Sequence, residues 1–219
     1  MMELKKKINN GVYLVVSPSM DLNVMLTKLE SIRIENLAAL QIWDCFNPND
    51  DAVTIVNAIA DLFAGSTTPV LINNRWDLLA QCNLDGIHLD EIPKNYKQLK
   101  TAIGKDIIVG ITCNNDLETA KWADENLLDY ISFCSMFPSS TATSCELVNP
   151  ETVIKAQNMF KMPLFLAGGI KPENLESLNN LNYDGIAVVS GIMEAKHPNQ
   201  ALKNYQNKLN IYENENNHL

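Results

Sequence analysis

Nothing in this chain pairs its cysteines. Cys45, Cys82, Cys113, Cys134 and Cys145 are odd in number and contain no C-x-x-C spacing, so neither a disulfide framework nor a zinc site is indicated. Free thiols in a reducing compartment are the expectation. Positive charge is scarce as well: 17 Lys and Arg face 26 Asp and Glu, a net charge of −9. That balance argues against nucleic acid, whose phosphates need Lys and Arg. A small phosphorylated ligand remains compatible, provided local amides, a few cations or a metal hold it. No apolar run approaches the ~18 residues of a membrane helix, and the charged start Met1–Lys7 leads into Asn9, Asn10 and Gly11 rather than an apolar signal core. A cytoplasmic protein without nucleic-acid or membrane partners is expected.

What is present is alternation. Apolar runs of strand length occur at Val12–Val16, Ala38–Trp43, Val70–Asn73, Gly86–Leu89, Asp106–Ile111, Asp129–Phe133, Pro163–Ala167 and Asp184–Val189. Several are rich in Val and Ile without clean two-residue alternation, as strands buried on both faces should be. Helical patterns lie between them at Leu22–Ile32, Asp51–Phe63, Asp77–Cys82, Lys94–Ile103, Asp116–Asn126, Pro150–Asn158, Pro172–Asn180 and Pro198–Leu209. Asn149 before Pro150 pairs a cap residue with a first-turn proline. Eight β–α units in 219 residues predict one α/β domain, a (β/α)8 TIM barrel over about residues 12–211 with a frayed tail at 212–219. An open doubly wound sheet is less suited, because the first βα turn, Ser17-Pro18-Ser19-Met20, has no glycine-rich fingerprint.

Barrels work at the C-terminal ends of their strands, and phosphates commonly sit after strands seven and eight. Strand seven here ends in Ala167-Gly168-Gly169-Ile170 and strand eight in Val188-Val189-Ser190-Gly191, turns whose amides can approach an anion closely. A Gly-Gly pair alone is as often a tight turn; two such turns at the two expected strands favour a phosphate site. A bulky side chain at Gly169 is expected to fill the anion's place. After strand six, the stretch Ser135–Ser144 carries six hydroxyls in ten residues, either a binding loop or a solvated one.

Asp129-Tyr130-Ile131, Phe137-Pro138-Ser139, Ala167-Gly168-Gly169-Ile170 and Asp184-Gly185-Ile186-Ala187-Val188-Val189-Ser190 resemble the C-terminal half of thiamine phosphate synthase. Leu40-Gln41-Ile42, Ile72-Asn73-Asn74-Arg75, Asp85-Gly86-Ile87-His88-Leu89 and Val109-Gly110-Ile111-Thr112 follow that family's earlier motifs in order and spacing. The family joins an aminopyrimidine methyl pyrophosphate to a thiazole phosphate, using Mg²⁺ to help pyrophosphate leave. The resemblance implies that Ser139, Ser140, Thr141, Gly169, Val189 and Ser190 hold the thiazole phosphate, and that Gln41, Asn73 and Thr112 face the pyrimidine. Implied partners are small phosphorylated thiazole and pyrimidine ligands and, at most, a second copy of the chain as a homodimer.

The departures from the family pattern fall on charged groups. The family's Gln-x-Arg-x-Lys reads Gln41-Ile42-Trp43-Asp44-Cys45, which removes two cations. Its two metal-ligating aspartates are replaced by Asn74 and Pro93, leaving Asp90 and Glu91, with Asp44 nearby, as substitute carboxylates. A loop lysine becomes Ala142. Mg²⁺ is therefore expected only if the chain is active, since an Asn carbonyl replaces an Asp poorly. Thiazole tautomerase relatives keep the phosphate end and lose the pyrimidine end, but their proton-transferring histidine corresponds to Asn114 here. Catalytic candidates left are Thr112, Cys113 with a lowered thiol pKa, and His88 as a base, although the last reads more readily as a hydrogen-bonded strand-end residue. Three readings stand: a diverged condensing enzyme, a tautomerase-like enzyme, and a non-catalytic binder of phosphate esters.

Overall fold

The computed structural model describes residues 6–139 and 146–216. Eight parallel strands close in sequence order into a barrel: β1 (Gly11–Val16), β2 (Ala39–Ile42), β3 (Val70–Asn73), β4 (Gly86–Leu89), β5 (Ile108–Thr112), β6 (Tyr130–Cys134), β7 (Leu164–Ala167) and β8 (Gly185–Val188). Every residue of β2, β3 and β4 is buried, which explains why these strands read as continuous apolar runs. Around them lie α1 (Leu22–Glu30), α2 (Ala52–Leu62), α3 (Trp76–Gln81), α4 (Tyr96–Ile103), α5 (Leu117–Glu125), α6 (Pro150–Met159), α7 (Ser190–Met193) and α8 (Pro198–Asn216). Side-chain caps start several of them. Asp21 accepts from Val24 N, Asp51 from Thr54 N, and Asn149 from Glu151 N with Pro150 in the first turn.

Two expectations need correction. The helix expected over Pro172–Asn180 is a single 3-10 turn at Leu175–Leu178, because the Asn174 side chain is bound to the loop before it rather than heading a longer helix. The last helix runs past Leu209 to Asn216, through most of the stretch read as a frayed tail.

Side chains alternate along each strand between two cores. Val12, Leu14 and Val16 face the helices, whereas Tyr13 and Val15 face the barrel interior with Leu71, Ile108, Tyr130 and Phe165. The rings of Tyr13, Tyr130 and Phe165 sit 5.6–5.8 Å apart, within the range of favourable aromatic pairing. They fit because β5 carries Gly110, where a Cβ would fall 2.0 Å from the Tyr130 ring.

The N-terminal ends of the strands show a repeat. Asp85, Asp129 and Asp184 immediately precede the even strands β4, β6 and β8. Each donates its amide to the carbonyl of Val70, Val109 or Leu164 respectively, at 2.8–2.9 Å. Each also accepts that same residue's amide on its carboxylate at 2.8 Å. Before β2 the equivalent residue is Ala38, which makes the backbone half of this pair, to Val12 O, and has no carboxylate for the other half.

Candidate functional site

The C-terminal ends of β6, β7 and β8 enclose a cavity of about 300 Å³ lined by Pro138, Ser139, Gly168, Gly169, Val189 and Ser190 among others. Sequence reading put Ser139, Gly169, Val189 and Ser190 at one phosphate, and the fold brings these four to one cavity. Ser140 and Thr141, named with them, lie outside the described residues, as does Ala142. The β7 loop is shaped from behind. Gly169 adopts φ +66°, and Asn174 ties the loop by donating to Gly169 O (2.9 Å) and accepting from Lys171 N (2.8 Å). From α8, the Tyr205 hydroxyl donates to Ile170 O at 3.1 Å. The same hydroxyl lies beneath Gly191, where a Cβ would come within 2.1 Å of it. These bonds engage two loop carbonyls and the Lys171 amide outside the cavity, beside the first amides of α7, which have no partner within their own helix.

A Cβ on Gly169 would lie 2.6 Å from Pro138 O and 2.7 Å from Phe137 O, so the first atom of any side chain there already strikes the β6 loop.

The barrel interior holds a polar file. The Tyr13 hydroxyl donates to Gln41 Oε1 (2.7 Å) and meets the Tyr130 hydroxyl (2.8 Å). Tyr130 in turn meets His88 Nδ1 (2.8 Å), His88 Nε2 meets Thr112 Oγ1 (2.8 Å), and Thr112 meets Ser132 Oγ (3.1 Å). Burial brings the His88 imidazole down to about 4, against the opposing pull of Asp90. With both nitrogens engaged and the ring neutral, His88 is not the accessible base proposed for it. Cys113 is corrected too. It points away from the mouth into the helix-facing core, and burial, with Asp116 adding, pushes its thiol up to about 12. Of the three catalytic candidates, Thr112 alone remains at the mouth, partly buried at the end of β5.

Comparison with known proteins decides the family. The thiamine monophosphate synthase model matches residues 12–192. The chain belongs to that family. The thiamine-phosphate synthase of Methanobrevibacter smithii is 28% identical over 194 residues, 89% of this chain and 92% of that one. A thiamine-phosphate synthase of Xylella fastidiosa is 33% identical over 143 residues, 65% and 61% of the two chains. A solved thiamine phosphate pyrophosphorylase from Pyrococcus furiosus shares the fold, with a TM-score of 0.76 at 21% identity across 96% of this chain and 99% of its own.

Against that family's chemistry, the β2–β4 side of the mouth is altered. Asn73, almost fully buried, donates to Asp90 Oδ1 (3.0 Å), and Asn74 donates to Asp90 Oδ2 (2.7 Å) while accepting from Asp90 N (3.0 Å). Both carboxylate oxygens of the nearest substitute ligand are thus taken by amides. Pro93 offers no side-chain donor atom, and Glu91 is exposed. Asp44 is turned to Arg75 Nη1 at 3.4 Å. Arg75 is itself gripped twice by Asp77, at 2.8 and 2.6 Å, with its guanidinium 5.9 Å from the Phe46 ring centroid. No group of three or more His, Cys, Asp or Glu among the described residues could hold a metal ion. The described residues do not fit the family's Mg²⁺, and Asp90 is a clamp on two asparagines rather than a replacement ligand. No helix among the described residues is long and apolar enough to cross a membrane.

Sequence reasoning missed Tyr13, Tyr130, Ser132, Asn174 and Tyr205. Tyr130 stood inside a family motif, but nothing there announced its hydrogen bond to Tyr13, 117 positions away.

Proposed function

We propose that this member of the thiamine monophosphate synthase family holds a phosphorylated thiazole at the β6–β8 end of its barrel and runs the metal-dependent condensation slowly or not at all. The observation that carries the reading is the contrast between the two halves of one mouth. The β6–β8 half has a cavity of about 300 Å³ lined by two glycine turns and a serine. In the β2–β4 half, asparagines, aspartates and one arginine satisfy each other. Loop amides suit a phosphate monoester, because they supply fixed donors without needing net positive charge. A departing pyrophosphate needs more: converging cations or a metal where charge builds. Here the Arg75 charge is spent on Asp44 and Asp77.

Each charge-assisted contact not replaced forfeits roughly 1.5–3 kcal/mol, so two of them lower the rate by a few orders of magnitude. The test incubates purified protein with both substrates at saturating Mg²⁺ and measures thiamine phosphate. Negligible turnover together with measurable thiazole phosphate binding is expected. Turnover near ~1–10 s⁻¹, the range of ordinary enzymes, would refute the proposal. That outcome would establish the second reading, a retained condensation, which is favoured by the identity spread along 92% of the Methanobrevibacter synthase.

A further inference from the structure

The polar file inside the barrel has a direction, and one bond sets it. Gln41 Oε1 is a carbonyl oxygen and can only accept, so the Tyr13 hydroxyl spends its single proton there. Toward Tyr130 the Tyr13 oxygen must then accept, which makes Tyr130 the donor across their 2.8 Å contact. Tyr130 has now spent its proton as well. At the next 2.8 Å contact its oxygen can only accept, so His88 Nδ1 must carry a hydrogen. A neutral imidazole has one N–H. Nε2 is therefore bare and accepts from the Thr112 hydroxyl, and Thr112 in turn accepts from Ser132.

We infer that Tyr13, Tyr130 and His88 are positioning residues of a one-way hydrogen-bond relay, which fixes His88 as the Nδ1–H tautomer and sets what the mouth offers a ligand. At one end Gln41, its carbonyl engaged, has only its amide NH2 to give. At the other end Thr112, its proton engaged, can only accept. A ligand group reaching these two residues therefore meets an N–H donor at Gln41 and only an acceptor at Thr112. The inference does not rest on the phosphate-binding proposal, since every bond lies within the barrel interior. The groups facing the imidazole are the two tyrosine hydroxyls from β1 and β6, the hydroxyl from β5, and the Asp90 carboxylate beyond the end of β4.

The test is a long-range ¹H–¹⁵N spectrum of the histidine-labelled full chain at neutral pH, with His88 assigned by its disappearance in His88→Gln. The expected pattern is a protonated Nδ1 and a bare Nε2. Tyr13→Phe keeps the ring but removes the hydroxyl, so the Tyr130 hydroxyl loses its acceptor and turns to His88 Nδ1. The tautomer should then invert to Nε2–H, donating to Thr112. Gln41→Glu keeps an acceptor at the head of the file and should leave the tautomer as in the unaltered chain. An Nε2–H pattern in the unaltered chain overturns the inference, and that measurement stands even if a variant fails to fold. So does an unchanged tautomer in folded Tyr13→Phe, or an inverted one in Gln41→Glu.

Discussion

Gly169→Ala separates two things that a glycine in a phosphate loop can supply. Its φ of +66° is left-handed, a conformation that costs an L-residue roughly 1–2 kcal/mol. Its missing Cβ also leaves room for the β6 loop: the two carbonyl oxygens at 2.6 and 2.7 Å are about 1 Å inside ordinary packing distance. Both belong to backbone, so relief requires moving Phe137 and Pro138 and hence one wall of the cavity. Gly104, at the end of α4, has nearly the same φ of +64°, but a Cβ there would meet nothing within 4 Å, so Gly104→Ala carries the strain without the collision. Gly104→Ala should lose about 1–2 kcal/mol of stability, a fall of about 2–8 °C in melting temperature for a chain of this size, and Gly169→Ala should lose more, because it adds the collision. Only Gly169→Ala should lose affinity for thiazole phosphate, by about 10- to 100-fold if one or two loop contacts are displaced. Calorimetric titration of the three proteins reads this directly. Equal affinities in the unaltered chain and Gly169→Ala, or an equal loss in Gly104→Ala, would show that the cavity owes nothing to this close approach.

Two further outcomes follow from single residues. Leu127 is 84% exposed at φ +54° just past α5, so Leu127→Gly should relieve the strain with little packing lost and raise stability by about 1 kcal/mol in urea unfolding; an unchanged or lower midpoint contradicts this. His88 falls to about 4 in the folded chain against about 6.5 unfolded. The unfolded state therefore binds the extra proton between those values, and this contribution is full above pH 6.5 and lost as pH falls toward 4. It amounts to roughly 3 kcal/mol, and His88→Gln should show a flatter decline of stability over that window, equal slopes being the refuting result.

Legibility in the sequence followed how local each signal was. The strands stood out because parallel strands buried on both faces must be continuously apolar, and capped helix starts such as Asn149-Pro150 need only neighbouring residues. The glycine turns after β7 and β8 were legible for the same reason, since they lie at strand ends whose position in a barrel is fixed. The interior file was hidden, because Tyr13, Gln41, His88, Thr112 and Tyr130 occupy five different strands and meet only when the barrel closes. The engagements of Asp90 and Arg75 were hidden for a related reason. A carboxylate or guanidinium advertises charge in a sequence, but whether that charge faces a ligand depends on Asn73, Asn74, Asp44 and Asp77 claiming it first.

The carboxylates of Asp85, Asp129 and Asp184 divide the barrel into matched pieces. Each stitches an even strand to the odd strand before it, so β3–β4, β5–β6 and β7–β8 are each fastened at the closed end by a reciprocal pair of bonds. The β1–β2 quarter, with Ala38 in the corresponding place, lacks the side-chain half of that fastening. For anyone rebuilding the molecule from fragments or moving its termini, the chain has natural seams. Breaks after β2, β4 or β6 leave every stitch within one piece, whereas a break between the strands of any of the last three quarters severs a carboxylate from the strand it secures.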